Sequence, residues 1–189
     1  MQFIDSKTIR LDRILSELDK FVLMFIKILR KHTDYVIVSG YVAILFGRTR
    51  TTEDVDVIIP KISKESFSEL FSELSASGYW SLNSSYEAEL FGMLDSNVSV
   101  RFAIDKEISP NIEIKFSRNN SDLIALKDKL RVQLAKESLF IAPLELQIAY
   151  KEKVLASDKD LEDSAHLRVV FSQYLNKPLL DKYLGELEA

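Results

Sequence analysis

The feature that most restricts this chain is a buried strand that runs into a turn of two small residues. Tyr35-Val36-Ile37-Val38 is a compact β-branched run, and Ser39-Gly40 stops it. A short helical pattern follows from Tyr41 to Phe46, with Gly47 placed to close it as a C-cap. After a polar connection, Arg48 to Glu53, a second strand spans Asp54 to Ile59 and halts at Pro60. Strand, tight turn, helix and strand in so short a stretch call for a sheet with helices packed on it.

The rest of the chain extends that pattern. Apolar residues from Ile9 through Ile14, Leu18, Phe21, Phe25 and Leu29 fall at helical spacing, so one long amphipathic helix is expected over Thr8–Lys31. Lys64–Ser77 and Tyr86–Met93 read as helices, and Val98–Ile104 and Ile112–Phe116 as strands. Ser121 is the expected N-cap of a helix through Lys129, and Arg131–Ala135 with Leu139–Ile141 resemble a short hairpin. The Ser-rich stretch Ser75–Ser85 reads as a surface loop, and Phe67, Phe71, Tyr79 and Trp80 as packing aromatics. From Pro143 onward only helices are expected: Pro143–Ala156, Asp158–Tyr174 (with Asp158 as N-cap) and Lys177–Leu187. Pro143 and Pro178 suit first turns, where a missing N–H costs nothing. The expectation is an α+β fold, a mixed β-sheet flanked by helices. A core with its N-terminal helix would span residues 1–142, and a helical C-terminal part packed on it residues 143–189.

Composition narrows the function classes. The chain has 189 residues, no cysteine, two histidines and a net charge of −4. There is no disulfide scaffold, no thiolate chemistry and no His-rich metal site to build. No global basic field draws in nucleic acid, so an RNA partner would need a local patch such as Lys115, Arg118, Lys127, Lys129 and Arg131. The longest apolar run, Phe21 to Ile26, is far short of the roughly 20 residues a membrane helix needs. The N-terminus has no apolar signal region. These features lead us to expect a cytoplasmic protein with no membrane partner.

Alternate residues of a strand share a face, so Asp54 and Asp56 point one way and Val55 and Val57 the other. Their Cα atoms lie about 6.5–7 Å apart, a spacing from which two carboxylates can converge on a divalent ion. Mg²⁺ prefers carboxylate, water and phosphate oxygens. The Ser39-Gly40 turn opens a helix and leaves room for phosphate to approach backbone N–H groups. Arg50 and Thr52 supply a charge and a hydroxyl just before the carboxylates. Phosphate-loop, dinucleotide-fold and serine-elbow motifs do not occur.

These residues resemble the nucleotidyltransferase superfamily with the DNA polymerase β-like fold, which pairs a Gly-Gly or Gly-Ser turn with an Asp-x-Asp flanked by apolar residues. Gly47 with Arg50-x-Thr52-x-Asp54-x-Asp56 is similar in particular to the AbiEii-type enzymes of the abortive-infection and toxin–antitoxin class. Ser39 stands where that family usually has the first glycine of its pair. The resemblance implies a third carboxylate from a neighbouring strand. Glu113 in Ile112-Glu113-Ile114 is the better match, although the family more often has Asp there, and Asp105 is the competitor.

Near the C-terminus, Leu146 to Lys151 followed by Lys159-Asp160-x-x-Asp163 is similar to the family's lysine helix and its charged segment. Lys151 would then contact nucleotide phosphate, and Lys159, Asp160 and Asp163 would orient it or line the cleft. The implied activity is metal-dependent transfer of a nucleoside monophosphate from an NTP to a hydroxyl acceptor, RNA, tRNA or protein, with toxin-like action as one form. Asp54, Asp56 and Glu113 would be the catalytic and metal-binding set for Mg²⁺ or Mn²⁺. Ser39, Gly40, Arg50, Thr52, Lys151, Lys159 and Asp163 would bind nucleotide. An antitoxin partner belongs to the same resemblance, and the N-terminal helix either covers the sheet or forms a homodimer interface. The alternative is a non-catalytic nucleotide-binding or interaction module on the same fold.

Overall fold

The long helix expected over Thr8–Lys31 breaks at its beginning. In the computed structural model, which describes residues 1–187, Gln2–Asp5 and Thr8–Leu11 are strands β1 and β2, and helix α1 occupies only Glu17–Leu29. Ile9 and Leu11 are two apart and both buried, a strand spacing that also satisfies a helical stripe when read with distant neighbours. Ile14, which a continuous helix would bury, is 94% exposed. Ser16 sets the true start: its hydroxyl accepts the Asp19 N–H and the Asp19 carboxylate returns to the Ser16 N–H, a capping box.

Most later elements fall where their patterns place them. They are β3 (Val36–Val38), α2 (Gly40–Leu45), β4 (Asp54–Ile59), α3 (Lys64–Ala76), β5 (Tyr79–Ser81), α4 (Glu87–Asp95), β6 (Val100–Ile104) and β7 (Asn111–Phe116). After them come α5 (Asn120–Lys127), β8 (Leu130–Leu134), β9 (Glu137–Ile141), α6 (Leu144–Tyr150), a π-helical turn (Lys151–Leu155), α7 (Asp158–Val170) and α8 (Lys177–Glu186). Strand β5 corrects the expected surface loop, because Tyr79 and Ser81 bury one face of a short edge strand against β6. Trp80 points the other way: it is exposed and donates its indole N–H to the Glu107 carbonyl at 2.8 Å. Two caps also differ. Asn119, not Ser121, accepts the N–H that starts α5, and Ser157, not Asp158, accepts the one that starts α7. Pro143 sits just before α6 rather than within its first turn.

The fold is α+β: one mixed nine-stranded sheet in the order β1-β2-β8-β9-β3-β4-β7-β6-β5, flanked by eight α-helices among the described residues. β3 and β4 run antiparallel, β4 and β7 parallel, and β6 and β7 antiparallel. The sheet has two unlike faces at its centre. Val55 and Val57 on β4 align with Ile112 and Ile114 on β7, and Ile112 in turn with Phe102 on β6. This apolar face packs against α1 and α3, with Phe25 meeting Phe102 and Tyr79, and Phe71 meeting Phe102. The opposite face carries Asp54, Asp56 and Glu113. No helix among the described residues is long and apolar enough to cross a membrane.

Candidate active site

The alternation that buries Val55 and Val57 turns Asp54 and Asp56 to the other face of β4. Parallel pairing sets Glu113 of β7 in register with Asp56, and the antiparallel partner Arg101 of β6 in register with Glu113. Three carboxylates thus form a row on one sheet face. Burial pushes the Asp56 carboxyl up to about 6, Asp54 and Glu113 push in the same direction, and the Ser39 hydroxyl and Lys115 oppose them. Arg101 Nε donates to Glu113 Oε2 at 2.7 Å. Thr52 holds the entrance to the strand, its hydroxyl donating to the Asp54 carbonyl at 2.9 Å. Asp105 lies beyond the end of β6 and is exposed, away from this row.

The turn beside the row is glycine-like although it begins with serine. Ser39 adopts φ 64° and ψ −136°, a conformation costing on the order of 1–3 kcal/mol for a non-glycine residue. Its N–H donates to Gln147 Oε1 on α6 at 3.0 Å. Gly40 opens α2, and a Cβ there would come within 1.9 Å of Arg50 Nη2, so the guanidinium occupies the space that a side chain would need. Arg50 Nη2 in turn lies 3.2 Å from Asp163 Oδ2.

A charged cluster sits behind that turn. Lys151, only 1% exposed, places Nζ 2.8 Å from Asp160 Oδ1 and 2.9 Å from Asp163 Oδ2. The π-helical turn that begins at Lys151 and the left-handed Ala156 after it bring α6 and α7 close enough for this pairing. Asp163 is fully buried, with Arg48 Nε 3.7 Å from its Oδ1. Burial pushes Asp160 up, but hydrogen bonds from Lys151 and Ser157 outweigh it and hold the carboxyl below its ordinary value. His166 is partly buried with Nε2 3.1 Å from the Phe46 carbonyl, tying α7 to the end of α2. The structure therefore brings together Ser39, Gly40, Arg50, Thr52, Asp54, Asp56, Glu113, Lys151 and Asp163. Lys159 is exposed on the outer side of α7 and stands apart from them.

A cleft of about 140 Å³ joins these parts, lined by Ser39, Asp56, Lys115, Gln147, Tyr150 and Lys151 together with apolar side chains. Among the described residues no group of three His, Cys, Asp or Glu side chains is disposed to hold a metal ion. The chemistry of the Asp54–Asp56 pair still fits a hard divalent cation, since both donors are carboxylates on one face, and burial followed by their mutual repulsion raises Asp56. Glu113 is the member engaged elsewhere, by Arg101.

No family model matches the chain, and no curated protein sequence does. Solved structures do. An antigenic nucleotidyltransferase-like protein from Paracoccidioides brasiliensis shares 15% identity at a TM-score of 0.52, over 89% of this chain and 85% of that one. The antibiotic-resistance factor ANT(2'')-Ia shares 15% identity at a TM-score of 0.54, over 89% of this chain and 91% of that one. The chain has the nucleotidyltransferase-like fold.

Within that fold, three residues that the sequence reading left out of the site bear on it. Arg101 clamps Glu113, Gln147 holds the Ser39 turn, and Lys115 lines the cleft 3.6 Å from Asp122. Lys115 was legible as a basic residue two positions after Glu113 and hence on the same strand face. Arg101 and Gln147 carried no signal, because their relevance depends on strand register and helix docking. The local basic patch does not assemble as one group around the cleft. Lys129, for example, pairs with Asp34 and lies 4.8 Å over the Phe140 ring.

Proposed function

We propose that this chain is a nucleotidyltransferase that moves a nucleoside monophosphate from an NTP to a hydroxyl acceptor. The row of Asp54, Asp56 and Glu113 beside the Ser39-Gly40 turn carries this reading. Asp54 and Asp56 would hold Mg²⁺ or Mn²⁺, which supplies neutralising charge to a triphosphate and favours the alkoxide form of an acceptor. The chain's own residues do the rest. The Ser39-Gly40 turn and Arg50 receive the phosphates, and Thr52 keeps Asp54 in place. The acceptor oxygen attacks the α-phosphorus, the bond to pyrophosphate breaks, and Glu113 takes the acceptor proton. Lys151 is neutralised by two carboxylates, so it orders Asp160 and Asp163, and through Asp163 it positions Arg50.

The AbiEii-type reading is the finer form of the same proposal. It is supported by the way Arg50, distant in sequence, joins Lys151, Asp160 and Asp163 in one ion-pair cluster. On that reading the acceptor is RNA, tRNA or a protein hydroxyl, with an antitoxin as partner. A second reading, a nucleotide-binding module without turnover, is favoured by one contact, the Arg101 guanidinium on Glu113. Incubation with Mg²⁺ or Mn²⁺, each α-labelled NTP and total RNA separates the two. Label on RNA or on the protein itself, absent in Asp54→Ala/Asp56→Ala, is the result expected of a transferase. Metal-dependent NTP binding with no transfer to either supports the module.

A further inference from the structure

Gln147 is 5% exposed, and its two amide ends meet different fates. Oε1 accepts the Ser39 N–H at 3.0 Å, whereas Nε2 is buried with no hydrogen-bond partner. A backbone N–H can bond only the carbonyl end of an amide, so the orientation is fixed and the free end is a donor. A buried amide left unpaired carries a desolvation cost that a ligand acceptor would recover.

The surroundings say what kind of ligand that is. Gln147 lines the cleft next to Asp56 and Ser39, and Val38, Ile58, Ala142 and Leu146 line it too. Apolar walls with few polar groups suit a flat heteroaromatic ring. Of the other polar side chains there, Lys115 is a second donor. Asp122 is already engaged, with Oδ2 accepting the Arg118 N–H at 2.9 Å and Oδ1 3.6 Å from Lys115. Tyr150 adds an aromatic ring and a hydroxyl. The turn that would hold phosphate and the cleft are bridged by the same glutamine side chain.

We propose that this cleft receives the base of the incoming nucleotide, and that Gln147 Nε2 selects bases with a carbonyl oxygen at pyrimidine C4 or purine C6, uracil and guanine, over those with an amino group at that position, cytosine and adenine. The inference rests on the nucleotidyl-transfer reading and names its substrate class. A donor meets an acceptor in the first case and another donor in the second, a difference of about tenfold in affinity for one hydrogen bond.

The test is calorimetric titration of the full chain with α,β-methylene analogues of UTP, GTP, CTP and ATP in the presence of Mg²⁺. The wild type is expected to bind the UTP and GTP analogues about tenfold more tightly than the other two. Gln147→Glu keeps an oxygen for the Ser39 N–H and replaces the donor with an acceptor. Its added charge weakens all four ligands alike, so the ratio of carbonyl to amino bases is the readout, and that ratio is expected to fall to one or invert. Gln147→Met, which has neither end, is expected to bring it to one. Equal binding of all four analogues by the wild type overturns the inference, as does an unchanged ratio in folded Gln147→Glu. In both cases nucleotide binding itself stands. If the wild type binds none of the analogues, the nucleotidyl-transfer reading falls and takes this inference with it.

Discussion

Asp56 on β4 and Asp160 on α7 are both carboxylates drawn partly out of water, and burial pushes both up. They end on opposite sides of the ordinary value. Asp56 has Asp54 and Glu113 as neighbours and rises to about 6, whereas Asp160 has Lys151 and the Ser157 hydroxyl and falls. The first region gathers like charge on a sheet face, against which only a serine hydroxyl and Lys115 act on Asp56. The second balances charge inside the protein: Lys151 and Arg50 share Asp163, which is fully buried. Uncompensated charge costs stability and is retained where something is to be bound there, while compensated charge holds elements together.

The largest effect comes from breaking the balanced region. Asp163→Ala leaves Lys151 with one buried partner and Arg50 with none from that carboxylate, and should destabilise the fold by about 3–5 kcal/mol in urea or thermal unfolding. The like-charge region should respond in the opposite sense. Asp56→Asn removes repulsion at the row, so its stability at pH 7 without metal should rise by about 1–3 kcal/mol. Nucleotidyl transfer in the same variant should fall on the order of 10²- to 10³-fold. A fall in stability instead would show that Asp56 is a structural partner and erase the contrast.

Two smaller predictions sharpen the boundary between the regions. Gly40→Ala drives Arg50 off the turn and away from Asp163, and should cost about 1–3 kcal/mol, read from its shift in melting temperature. Asp160 gives a test by pH. Its folded pKa lies below its unfolded value, so the stability it contributes is present above the unfolded value and lost as pH falls through the lowered one. Asp160→Asn should flatten that acid limb of the stability profile. It should leave the profile above about pH 5 parallel to the wild type.

The fold was legible where local pattern and punctuation agreed. Strand β4 is bounded by a polar run and by Pro60, and its alternation of Asp and Val is unambiguous, so its limits read directly from the sequence. The N-terminus was misread because Ile9 and Leu11 fit two periods at once. Strand pairing with β8, a contact across more than a hundred residues, decided between them. Strand β5 was hidden because a strand of three residues within a serine-rich segment has too few side chains to show a period.

By itself the sequence determined the shared face of Asp54 and Asp56 and the small turn near them, since both follow from the bond geometry of adjacent residues. Tertiary structure alone decided which carboxylate stands beside Asp56, what Arg101 holds, and which end of Gln147 is left free. Those depend on the register of β4 with β7 and on where α6 docks, and non-local pairing is not written in any short stretch of chain.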